Sequence, residues 1–148
     1  MNIFEALRVS HETQRALSAR LLASEPGTPE RHRVFLDLKR ELLVHETAEE
    51  RCFYVPMMKH DATVDAARHA IAEHHEMDEM VEELEGQELN APGWMAGAKK
   101  LCEKVEHHLQ EEETKFFQEA GKVLTEPQKL SLAKEYEAEF LTLRTKED

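Results

Sequence analysis

Apolar residues along the chain recur at steps of three and four, interrupted at a few turn-forming stretches. The pattern predicts five helical segments. The first runs from about Ile3 to Ala23, with Asn2 and Glu5 forming a capping box. SEPGTP ends it. The second opens after Thr28 with Pro29 at its first position and reaches about Pro56 or a turn beyond, where proline is expected to bend it. Asp61 or Thr63 begins a third that ends near Gly86, and Asn90 and Pro92 open a fourth that ends near Gly121. A shorter fifth runs from Thr125 to about Leu143, with Leu130, Ala133, Tyr136, Phe140 and Leu143 packing it across the outside. Four long helices with short connections predict an all-α, up-down-up-down four-helix bundle with an added C-terminal helix, in one domain over residues 1–148.

Each of the four seams contains a polar interruption. The first helix reads Phe4, Leu7, His11, Gln14, Leu17 or Ser18, Leu21. The second reads Leu38, Leu42, His45, Glu49, Cys52, Pro56. The third reads Ala67, Ala70, His74, Met77, Val81, Leu84, and the fourth Leu101, Val105, His108, Glu112, Phe116. At about 1.5 Å per residue, each His lies roughly 12–20 Å from the same end of an antiparallel bundle, so the four can share one level.

A shift of 63 residues superposes the halves, about 1–60 on 63–121. It places His11 on His74, His45 on His108, Glu49 on Glu112, Glu50 on Glu113, Phe53 on Phe116 and Tyr54 on Phe117. The chain therefore reads as one helical hairpin used twice.

Four imidazoles and two carboxylates inside a bundle cost stability unless compensated. A lone buried His is ordinarily satisfied by a hydrogen bond. Six such groups, paired by a repeat, favour bound metal, since cations neutralise deprotonated ligands. Nitrogen and carboxylate donors without thiolate suit iron, manganese or zinc. Two six-coordinate ions offer roughly twelve positions; four His and two bridging Glu fill about eight, a bridging oxygen about two more, leaving about two open. Open positions point to small-molecule binding or redox chemistry.

The remaining histidines serve as a control. His75 and His107 point about 100° away from their seam neighbours. His32, His60 and His69 lie too early, in a turn, or off the seam. Glu46, Asp78, Glu111 and Glu113 are near enough to add a ligand or orient an imidazole, although a solvated helix face is their default. Met57, Met58, Met77 and Met80 read as core filler, Trp94 as a packing anchor, and Tyr54 chiefly as core.

The ordered set H…HxxxE…H…HxxxE resembles the hemerythrin-like family, or HHE cation-binding domains. It is carried by SHETQRAL around His11, HETAEE from His45, EHHEMDEM around His74 and HHLQEEETKFF around His108, with a similar tail in LTEPQKLSLAKEYEAEF. The resemblance implies a non-haem centre of two iron ions, oxo- or hydroxo-bridged, with His11, His45, Glu49, His74, His108 and Glu112 as metal ligands. Two departures argue against simple reversible oxygen carriage. Asp78 stands where oxygen carriers have a further His, and Glu112 lies four residues after its His, where they have an Asp at five.

Composition narrows the partners. Of 148 residues, 31 are acidic and 19 are Lys or Arg, a formal net charge of -12, so no basic stripe invites nucleic acid or an anionic membrane. No apolar run spans a bilayer. Cys52 and Cys102 show no ligand spacing and read as reduced thiols of a cytoplasmic protein. Three functions compete. The first is binding or sensing dioxygen, nitric oxide or peroxide, with a protein partner for a sensor. The second is a di-iron enzyme of oxidative or nitrosative stress defence, with Glu46, Glu111 and Tyr54 as its acid–base candidates. The third is a metal-free helical interaction module.

Overall fold

The computed structural model describes residues 1–147, which form five helices and, among the described residues, no strand. α1 (Ile3–Leu22) starts on the expected capping box, in which the Asn2 side chain accepts from the Glu5 N–H at 3.0 Å and the Glu5 carboxylate accepts from the Asn2 N–H at 2.9 Å. α2 (Pro29–Glu49) is capped by Thr28 and has proline in its first turn. α3 spans Val64–Glu85, α4 spans Trp94–Glu111, and α5 spans Glu126–Glu147. α4 begins later than Asn90 and Pro92 predict. Gly93, at φ +89, takes the left-handed conformation just before it. Asn90 instead accepts from the Gly27 N–H, tying the two loops at that end together.

α2 and α4 do not stop at Glu49 and Glu111. Each passes through a five-residue π-helical turn, Glu50–Tyr54 and Glu112–Phe116, then resumes as α-helix over Val55–Met57 and Phe117–Val123. The Val55 N–H reaches back to the Glu50 carbonyl and the Phe117 N–H to the Glu112 carbonyl, five residues in each case. An extra residue per turn rotates the following face by one position. The seam expected at Cys52 and Pro56 accordingly moves to Phe53, Tyr54 and Met57, which are fully buried. Proline does not cause the turn, because the second hairpin makes the same turn without one.

The four long helices form the bundle: α1 lies against α2 and α4, and α3 against α4 and α2. α5 packs on α1 and α2. The apolar interior divides into two clusters. One, around Ile3, Leu7, Phe53, Met57, Phe116 and Phe117, also takes in Ala133 and Tyr136 of α5. The other surrounds Leu21, Leu38, Leu42, Trp94, Leu101 and Leu109. Each fully buried Leu, Ile or Phe contributes roughly 1.5–3 kcal/mol, so the clusters can carry a costly layer between them. That layer holds the histidines. His11 lies between Leu7 and Leu17, His45 between Leu42 and Ala48, and His74 between Ala70 and Met77, one neighbour from each cluster in every case.

Cys52 and Cys102 are free thiols. Among the described residues, no helix is long and apolar enough to cross a membrane.

Candidate metal centre

All six seam residues converge. His11, His45, Glu49 and Glu112 offer ligand atoms within 4.8 Å of one another, and so do Glu49, His74 and His108. Glu49 belongs to both groups. Its Oε1 lies 3.2 Å from His45 Nε2 and 3.3 Å from His74 Nε2. Glu112 spans the halves in the same way, with Oε1 3.1 Å from His11 Nε2 and Oε2 3.8 Å from His108 Nε2. None of the six is more than 3% exposed.

The four imidazoles share one orientation, with Nε2 inward and Nδ1 held from behind. Nδ1 of His11 meets Glu113 at 2.7 Å, that of His74 meets Glu50 at 2.9 Å, and that of His108 meets Glu73 at 2.8 Å. His45 differs, since its Nδ1 meets the Tyr136 hydroxyl of α5 at 2.7 Å. A partner on Nδ1 that accepts its proton leaves the Nε2 lone pair free to bind a metal and fixes the ring plane. Arg15 steadies Glu113 from outside, and Lys104 steadies Glu73.

Five of the inward atoms are left without partners. His11 Nε2, His45 Nε2, both Glu49 oxygens and Glu112 Oε1 are buried and lack a hydrogen bond; the His–Glu pairs are close but not aligned for one. Each such orphan costs roughly 1–3 kcal/mol. Cations at this level would satisfy the whole set, so the residues fit a metal pair and do not fit a closed hydrogen-bond network.

Left to the side chains alone, the electrostatics are divided. Burial opposes charge on His11, but the adjacent Glu112 and Glu113 carboxylates outweigh burial and raise it to about 9. Burial dominates at His45, which falls to about 4 despite Glu49. Burial also opposes charge on His74, yet Glu49 and Glu50 raise it well above its ordinary range, while burial lowers His108 against the pull of Glu73. Burial and the neighbouring Glu49 charge push Glu112 up to about 8. Glu49 stays ionised against burial because of His45 and His74.

One oxygen breaks the two-fold repeat. Phe117 stacks on His11 at 5.9 Å between ring centroids, and its repeat partner Tyr54 covers His74 at 5.2 Å. The Tyr54 hydroxyl donates to Glu112 Oε2 and lies 3.4 Å from His74 Nε2 and 3.5 Å from His108 Nε2. Tyr54 is therefore both core and part of the centre, whereas Phe117 can only pack.

Residues 2–120 match the family profile described as Hemerythrin HHE cation binding domain. The chain belongs to the hemerythrin HHE cation-binding family. Among solved structures, a hemerythrin HHE cation-binding domain-containing protein from Mycobacterium kansasii has the same fold, with a TM-score of 0.90 and 22% identity over 99% of this chain and 89% of that one. No curated protein matches the chain. A cation-binding hemerythrin domain accords with the two buried His/Glu groups. The profile ends before α5, so Tyr136 lies outside the matched segment.

Of the flanking acids expected near the site, Glu113 holds His11. Glu46 is buried but outside both groups; burial raises its carboxyl, as does Asp78 beside it, and Asp78 itself is exposed. His75 and His107 are exposed, as expected. His69, set aside by the seam pattern, meets Glu73 and Glu111 instead. The periodic pattern missed Glu50, Glu73 and Tyr136. Glu50 alone had a signal: the 63-residue shift pairs it with Glu113, and both hold an Nδ1.

Proposed function

We propose that this hemerythrin-like chain holds two iron ions through His11, His45, Glu49, His74, His108 and Glu112 and binds or senses a small molecule such as dioxygen, nitric oxide or peroxide. The observation that carries this reading is the set of inward Nε2 and carboxylate atoms, five of them unpartnered, backed by anchored Nδ1 atoms. The split into His11/His45 and His74/His108, with Glu49 and Glu112 shared, supports a pair of cations over a single one. Iron in such a site supplies redox capacity and coordination positions beyond those the protein fills.

The chain's own residues do the rest. Glu113, Glu50, Glu73 and Tyr136 fix the imidazole tautomers. Phe53, Phe116 and Phe117 exclude water from one side, and the layer around Leu42 and Val105 closes the other. The Tyr54 hydroxyl is a neutral proton donor at the His74/His108 position. It favours a second reading, a di-iron enzyme that decomposes peroxide or repairs iron centres, since such chemistry needs a donor beside the bound ligand.

Metal analysis with an optical spectrum on protein from iron-supplemented cells tests the proposal. The expected result is about two irons per chain with a ligand-to-iron charge-transfer band in the near ultraviolet. A chain that neither contains iron nor takes up iron(II) without air would leave the metal-free interaction module as the surviving reading. Peroxide turnover above that of free iron, lost in His45→Ala, would establish the enzyme.

A further inference from the structure

A third cluster lies outside the buried centre. His69 Nε2 is 3.2 Å from Glu111 Oε1 and 3.6 Å from Glu73 Oε1. His69 is exposed, Glu111 is half-buried and Glu73 is buried, so the group descends from solvent toward the interior. His107 Nε2 touches the other Glu111 oxygen at 3.3 Å. The inner end is the Glu73 Oε1 atom, which also meets His108 Nδ1 at 2.8 Å.

The same three side chains line a cavity of about 110 Å³ whose deeper wall includes His108 and Glu112. Glu112 is only 2% exposed, and its Oε1 has no hydrogen-bond partner. The hollow thus joins a surface His/Glu/Glu group to the His108 and Glu112 side chains of the buried centre. Lys115 also lines the hollow, and Lys104 meets Glu73 Oε2 at 3.3 Å; neither reaches Glu73 Oε1 or Glu111 within bonding distance.

We propose that His69, Glu73 and Glu111 form a loading site, a weak divalent-cation site that captures iron(II) at the surface and passes it through this cavity to the His108/Glu112 side of the centre. The proposal rests on the di-iron reading. The chemistry is ligand exchange alone. A hydrated cation trades waters for one imidazole nitrogen and two carboxylate oxygens, then trades these for the deeper donors, with no change of oxidation state. Exposure of His69 keeps the outer site weak enough to release its cation. The shared Glu73 makes the transfer short.

The test compares wild type with the double variant His69→Ala/Glu111→Gln, leaving Glu73 in place because it holds His108. Metal-free chains receive iron(II) without air for set times, a strong chelator quenches the uptake, and the retained iron is counted. Both proteins should reach the same final iron content and spectrum. The variant should load about tenfold more slowly, as expected when a cation-attracting mouth is removed. Equilibrium dialysis of the iron-loaded chains against zinc(II) should show one further weak site in wild type and none in the variant. Equal loading rates, a retained extra zinc site, or a lower final iron content in the variant would each overturn the loading site. Failure of wild type to hold iron tightly would overturn the di-iron reading itself.

Discussion

His45 and Tyr136, 91 positions apart in the chain, meet through a 2.7 Å contact between imidazole Nδ1 and phenol oxygen. Of the four inward imidazoles, this one is anchored by a neutral hydroxyl and from a helix outside the bundle. Beside Tyr136, Ser10 donates to the buried Glu41 at 2.6 Å. The fifth helix therefore takes part in building the centre as well as covering it.

Replacing Tyr136 with Phe keeps the packing and removes the anchor. Iron affinity should fall about 10–100-fold, the range seen when partners behind a metal-bound His are lost. The metal-free chain should also lose roughly 1–3 kcal/mol, since His45 Nδ1 becomes a buried orphan. Competition with a calibrated chelator and a urea titration measure the two effects. Unchanged affinity would reduce α5 to a cover.

Glu49→Leu separates the metal reading from the interaction module. The substitution removes two orphaned carboxylate oxygens but also the charge that supports the buried His74, so the metal-free variant should lose about 3–5 kcal/mol. Iron should raise the melting temperature of wild type, because a ligand bound only by the folded state stabilises it. It should not raise that of Glu49→Leu. Thermal melts with and without iron(II) decide the matter; a wild type indifferent to iron would favour the module.

Tyr54→Phe makes the two halves of the repeat alike. Glu112 Oε2 loses its donor, which should cost roughly 1–3 kcal/mol in urea while leaving the iron content intact. Peroxide reactivity should drop if the phenol serves as a proton donor. A variant matching wild type in both measurements would make Tyr54 a packing residue, equivalent to Phe117.

The metal-free chain should be most stable between about pH 4.5 and 6.5. His11 at about 9 contributes stability that is complete below its ordinary 6.5 and lost as pH rises through 9. Glu112 at about 8, against an ordinary 4.5, also loses its contribution on the way up. On the acid side, the hydrogen bond from His108 holds Glu73 at about 2, and that from His11 does the same for Glu113; both contributions vanish as pH falls below 4.5 toward 2. His45, lowered to about 4 by burial, loses stability from 6.5 downward, and Glu112 offsets this over most of the window. Bound iron should reverse the alkaline decline, since it requires deprotonated ligands. Urea midpoints against pH, with and without iron, give the curve; an alkaline rise in the metal-free chain would contradict this charge assignment.

Periodicity by itself determined the course of the four bundle helices, their seams as far as Glu49 and Glu112, and the six inward residues. A bundle must bury one face of each helix, so a polar group in that face at Leu42–His45–Glu49 or Val105–His108–Glu112 spacing declares itself against the apolar background. The 63-residue repeat then fixed their pairing. It did not reveal the π-turns at Glu50–Tyr54 and Glu112–Phe116, because a π-turn and an α-turn draw on the same residue types, and so the seam slipped from Cys52 and Pro56 to Phe53 and Met57. Only the tertiary structure decided which group stands behind each imidazole. Glu73, Glu50 and Tyr136 lie on three different helical segments. A carboxylate beside the seam looks like any solvated helix residue until packing brings another helix's Nδ1 within 3 Å. Candidate ligands are marked by the cost of burying them, which the chain must show as a break in its apolar pattern. Their supports are marked by distance alone, and distance exists only once the helices have packed.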